Sequence, residues 1–155
     1  MTISRRTVGH AVGISAVALA ACTSIPAPPT PEAAQIKISL SVSRADAYQR
    51  TVAAFVAEGL NVSSGSAEGG TITTVPVDAA QMVPATYRAT IVTIDSQTVV
   101  VLSGSIRNNS GALMAQAMTG LKADAPEFPL HSAMKGDLGK AWQRLERVAA
   151  RLRGT

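Results

Sequence analysis

One cysteine, Cys22, and two histidines, His10 and His131, are all the thiol and imidazole chemistry that this 155-residue chain contains. A lone thiol rules out a disulfide framework and a Cys-rich zinc site. His131 sits between Leu130 and Ser132 with no second His or Cys close in sequence, whereas a zinc site needs three or four ligands. Ser132-Ala-Met-Lys135 places an amine one helical turn from a hydroxyl, a spacing at which lysine can take the proton of a serine nucleophile. The carboxylates are dispersed, and neither a Gly-x-Ser-x-Gly elbow, a P-loop nor a Gly-x-Gly-x-x-Gly turn occurs. The cysteine is the most telling of these residues because of where it stands.

Cys22 closes a short basic start, Arg5-Arg6, and an uncharged, largely apolar run from Val8 to Ala21. That is the layout of an export signal. The run is broken by His10 and Ser15 and is shorter than the roughly 18 apolar residues a spanning helix needs. Its last four residues, Leu19-Ala20-Ala21-Cys22, resemble the lipobox of bacterial lipoproteins. The resemblance covers about the first 22 residues. It implies a diacylglyceryl thioether on Cys22, cleavage between Ala21 and Cys22, and acylation of the new amine. Two or more acyl chains, at about 0.8 kcal/mol per buried methylene, would hold the mature protein on a membrane without a transmembrane helix. Thr23 stands where an Asp would retain such a lipoprotein at the inner membrane, so the resemblance favours the outer membrane with the domain facing the periplasm.

Residues 1–21 therefore read as signal peptide and residues 22–35 as a lipidated cysteine with a tether. Pro26, Pro28, Pro29 and Pro31 favour extended polyproline geometry there, which at about 3.1 Å per residue spans roughly 40 Å. Residues 36–155 are long enough for a single core. Loss of Arg5 and Arg6 with the signal leaves 12 Lys and Arg against 10 Asp and Glu, a side-chain charge of +2. Five aromatic residues and so small a charge give nucleic-acid binding no support.

The elements of that domain follow from periodicity. Residues 36–42 alternate apolar and polar as a half-buried strand does. Ser43 and Asp46 form a capping-box-like start for a helix in which Tyr48, Val52, Phe55 and Val56 share a face and which Gly59 ends. A weaker strand begins at Leu60 and Val62, a second covers residues 71–75, and residues 87–94 and 98–107 form a hairpin around Asp95-Ser96-Gln97. Residues 76–84 read as a connection with a helical turn at Asp78 to Met82. In residues 112–136, Leu113, Met114 and Met118 suggest a helical turn, while Gly120, Pro126 and Pro129 argue for loop. From Leu138 to Arg153, Leu138, Trp142, Leu145, Ala149 and Leu152 lie on one helical face, and Lys140, Arg144, Arg147 and Arg151 lie opposite.

The order β-α-β-β-β-β-α predicts an α+β two-layer domain, an antiparallel sheet of about five strands with two helices on one face. In element order and address this resembles the small helix-grip-like domains of envelope lipoproteins, including a lipoprotein subunit of the outer-membrane β-barrel assembly machinery. That likeness carries over no functional residues. In the last sheet strand Val99 and Val101 should point away from the helices, under cover of the 112–136 segment. Ser132-x-x-Lys135 is similar to the nucleophile motif of penicillin-binding proteins, but the Ser-Asp-Asn and Lys-Thr-Gly elements that accompany it are absent. The expectation is a lipid-anchored, non-catalytic interaction or assembly module with an envelope protein partner, no cofactor and no metal. Its basic helix face, Lys140, Arg144, Arg147 and Arg151, is available to an anionic surface. The alternatives are a binding module for a small apolar or amphipathic ligand and, third, a small hydrolase built on Ser132, Lys135 and His131.

Overall fold

The computed structural model describes residue 30 and residues 32–80, 83–120 and 124–154. Cys22, Ala21 and most of the tether lie outside the described residues. The elements run β1 (Gln35–Leu40), α1 (Arg44–Ala57), β2 (Val62–Ser66), β3 (Thr71–Thr74), β4 (Val77–Ala80), β5 (Val83–Ile94), β6 (Gln97–Arg107), α2 (Asn109–Thr119), β7 (Glu127–Pro129) and α3 (Gly136–Arg153). The class is α+β with an antiparallel sheet, as the order of elements predicts. The count differs: among the described residues seven strands and three helices replace the expected five and two.

The physical reason lies in how the strands share edges. β5 and β6 form the long central hairpin, in register from Ile94↔Gln97 to Ala85↔Ile106. Asp95 and Ser96 turn it with φ of 48° and 65°, the left-handed pair that a type I′ turn requires. On the outer edge of β6, β1 pairs with residues 98–103 and β7 with residues 105–107. On the outer edge of β5, β3 pairs with residues 88–90 and β4 with residues 83–85. Five lanes thus hold seven strands. Asp78–Ala80, expected as a helical turn, is extended because β5 offers it an edge. The segment 109–119, which shows only a hint of helix in sequence, forms α2.

At each break between lanes a substitute bond completes the ladder. Where β3 has ended and β4 has not begun, Tyr87 N–H donates to the Thr74 hydroxyl at 3.0 Å. Where β1 and β7 leave a gap, Gly104 C=O accepts from Leu130 N–H at 2.8 Å. Buried backbone groups need such partners, so both breaks can lie inside the fold.

Alternate positions of the strands face α1 and α3. Ile38, Ile72, Tyr87, Ile91, Val100 and Leu102 are almost wholly buried there against Phe55, Trp142, Leu145 and Val148. α1 is capped as its sequence predicts, Ser43 Oγ accepting from Asp46 N–H at 3.1 Å. Its inward residues are Ala47, Thr51, Ala54 and Phe55, whereas Val56 is 57% exposed, so the buried face is rotated from the expected one. α3 starts two residues before Leu138 and buries Trp142, Leu145, Ala149 and Leu152 as read, with Val148 added. The Tyr87 hydroxyl donates to Ala141 C=O at 3.2 Å, pinning α3 to the sheet centre.

Gly104 makes this junction possible. A Cβ there would fall 2.7 Å from Leu130 Cδ1 and 3.3 Å from both Leu145 Cδ1 and Tyr87 Cδ1. Gly104→Val should therefore lower stability by about 1–3 kcal/mol through overpacking. Urea unfolding checks this, and an unchanged midpoint would mean that Leu130 vacates the position at no cost.

Candidate functional site

The basic residues of α3 reach the surface because the opposite side of the helix is spent on the core. An 18-residue helix packed through residues 142, 145, 148, 149 and 152 must turn residues 140, 144, 147 and 151 outward or sideways. Arg147 Nε and Arg151 Nε each donate at 2.8 Å to the two carboxylate oxygens of Glu58, just past the end of α1. Glu58 is the partner that sequence reasoning missed, since it lies 89 residues from Arg147 and meets it only through α1–α3 packing. Lys140 Nζ donates to Asp137 at 2.8 Å within its own helix turn. Arg144 is half-buried beside Tyr87, Asp78 and Gln143, along a groove of about 300 Å³. The four basic residues thus do lie along one side of the domain, and three of them already hold a carboxylate.

The electrostatics follow from the same geometry. The bonds from Arg147 and then Arg151 hold the Glu58 carboxyl below its usual value of 4.5, outweighing the opposing effect of its burial. Asp137 is lowered and Lys140 raised by their shared bond. Burial pushes the Tyr87 phenol up, with Arg144 acting against it.

A second groove, of about 440 Å³, lies between α1 and the end of α3. Ala53, Ala54, Ala57 and Leu152 line it together with Arg50 and Arg151. Among the described residues Arg50 pairs with no carboxylate. The space between sheet and helices, by contrast, is filled by side chains such as Phe55, Leu60, Tyr87 and Leu145, each fully buried.

Among the described residues the other sheet face is open: Lys37, Ser39, Arg88 and Thr90 are exposed around half-buried Val99 and Val101, so the described part of the 112–136 segment does not cover them as expected. From that segment β7 adds a short edge strand, with Glu127 accepting from Ser105 Oγ and lying 3.8 Å from Arg88.

Ser132 and Lys135 are both exposed in the turn before α3 and share no helical turn, while His131 is half-buried beside them. Among the described residues no group of three His, Cys, Asp or Glu side chains is placed to hold a metal, and no helix is long and apolar enough to cross a membrane. No protein-family model matches the chain, and no curated protein matches it either.

Because the folded-state pKa of Glu58 is depressed, its stabilising effect is present above the unfolded value near 4.5 and is lost as pH falls through the folded value. Glu58→Gln should cost about 1 kcal/mol at pH 7, and the gap to wild type should narrow below that value. Urea unfolding at pH 7 and pH 3 measures both, and a gap independent of pH would contradict the role given to this carboxylate.

Proposed function

We propose that the protein is a lipid-anchored cell-envelope lipoprotein whose small domain is a non-catalytic interaction module, held at the outer membrane and facing the periplasm. The observation that carries this reading is Leu19-Ala20-Ala21-Cys22, the only cysteine of the chain, placed after a basic start and an uncharged apolar run and before a Pro-rich tether. The thiol there is an acceptor for a lipid, and the tether spaces the domain from the membrane. The open sheet face supports the second half of the reading. Half-buried Val99 and Val101 with exposed Lys37 and Arg88 around them combine apolar area and a charged rim, the anatomy of a protein contact.

Intact mass and membrane fractionation of wild type and Cys22→Ala test the anchor. Wild type should lack residues 1–21, carry acyl chains and sediment with membranes, and Cys22→Ala should lose the acyl mass and the sedimentation. A soluble, unacylated wild-type chain would overturn the reading. Cross-linking in intact cells followed by purification should return an envelope protein partner, and recovery of none would count against an interaction role.

A second reading, a module for a small amphipathic ligand, is favoured by the groove between α1 and α3. Its alanine floor with Arg50 and Arg151 beside it suits an acid with a short apolar body. Native mass spectrometry should then show a retained acid that Arg50→Glu releases by tenfold or more in affinity, and ligand-free protein would exclude this reading.

A further inference from the structure

Among the described residues, α2 contributes little to the packing of the fold. It packs on neither the sheet nor the other helices to more than marginal extent. Leu113 and Met114 are 49% and 71% exposed, and Met118 is 84% exposed. With Ala117, these residues follow the i, i+1, i+4, i+5 spacing of one helical face. No Asp, Glu, Lys or Arg occurs between Asn109 and Thr119. An exposed helix without charge is unusual for a surface bathed in water, where charged residues normally occupy the outer face.

Its position says what covers it. β1 enters the sheet with Gln35 opposite Ser103, and α2 leaves it two residues after Arg107. Along β6, Arg107 lies four residues beyond Ser103, about 13 Å at the usual strand rise. Ala33 C=O accepts from Ser132 N–H at that same end, and Asn108 N–H donates to Pro126 C=O beside β7. Phe128 of β7, 48% exposed, adds to the same end. Among the described residues, four of the seven large exposed apolar side chains therefore lie on α2, which leaves the sheet at this end of β6, or on β7, which pairs there, while Ile94 marks the far tip of the β5–β6 hairpin. That tip is roughly 33 Å away along β6.

We propose that α2, together with Phe128 of β7, is a second membrane contact that lies in the headgroup region of the bilayer to which the Cys22 lipid tethers the chain. This rests on the lipoprotein reading. The eight residues from Cys22 to Pro29 span at most about 25 Å as polyproline before the turn that Ala33 N–H closes on Thr30 C=O, so the anchor keeps this end of the domain within reach of the lipid surface. An eleven-residue helix without cationic residues binds a bilayer weakly by itself, and the tether supplies the high effective concentration that makes the contact persist. The helix thereby fixes which end of the domain faces the lipid and leaves the hairpin tip pointing away from it.

Met118→Trp and Ile94→Trp, made separately in the full chain and purified from bacterial membranes, test this in phosphatidylethanolamine–phosphatidylglycerol vesicles with and without brominated acyl chains. Trp142 is buried and supplies a constant background measured on wild type. Bromine should quench the added emission of Met118→Trp by at least half and leave that of Ile94→Trp unchanged. Equal quenching of the two, no quenching of Met118→Trp in vesicle-bound protein, or α2-to-α2 cross-linking between copies would overturn the proposal. Intact mass of the same samples reports the lipid on Cys22 separately. An unacylated chain would overturn the anchor reading and this proposal with it, whereas an acylated, vesicle-bound chain whose Met118→Trp emission is not quenched would overturn the α2 contact alone.

Discussion

The β5–β6 ladder is the constraint on which the rest of this fold depends. Its register runs unbroken from Ile94↔Gln97 to Ala85↔Ile106, and every other residue of both strands is turned toward the helices. A slip of one residue would send Val100, Leu102 and Ile91 to the open face and bring Val99, Val101 and Thr90 into the core. The two-residue turn at Asp95 and Ser96 excludes that slip, since a type I′ turn fixes which residues are opposite one another. The other strands are added outward from this hairpin in pieces, β1 and β7 on β6, β3 and β4 on β5, and β2 on β3. The Thr74 hydroxyl and the Gly104 carbonyl serve as joints where one piece gives way to the next.

Gly104 carries the constraint from the sheet into the helical layer. The space left by its missing side chain is taken by Leu130, whose N–H also bonds the Gly104 carbonyl. Leu130 lies six residues before α3, so the seating of one leucine sets where the final helix begins its run across the sheet. Tyr87, in contact with the same spot, then holds Ala141 through its hydroxyl. From there the outward direction of Arg144, Arg147 and Arg151 follows from helical geometry, and Glu58 meets the last two because α1 lies alongside. The cationic face is in this sense a consequence of core packing that Glu58, at the end of α1, partly neutralises.

Much of this was legible in the sequence where a periodic pattern is long. The alternation of residues 36–42, the capped start at Ser43 and the apolar face of α3 predict β1, α1 and α3 nearly to their ends. Short pieces that exist only through a neighbour were not. Asp78-Ala-Ala carries no strand signal, and it is extended only because β5 stands beside it. Glu127-Phe-Pro is equally silent without the edge of β6. α2 is legible only as the turn that Leu113, Met114 and Met118 suggest, because its sequence carries no charged face of the kind that marks a helix packed on a core. The basic stripe was legible as a stripe, but not its pairing, since Glu58 is brought to it by tertiary packing alone. Val56, placed by periodicity in the core, is exposed because the small residues Ala47, Thr51 and Ala54 let α1 approach closely on a different face.

A domain built outward from one hairpin, with its chain entry and its uncharged helix at one end and its turn at the other, is a body with a defined top and bottom. Hydrogen exchange of the full chain, bound to vesicles and compared with detergent micelles, tests that account most directly. The slowest amides should fall in residues 85–92 and 98–106 in both settings, and the change between settings should be confined to residues 109–119 and 127–129. Fast exchange in the β5–β6 ladder, or a membrane-dependent change at the Asp95–Ser96 turn instead of at α2, would contradict it.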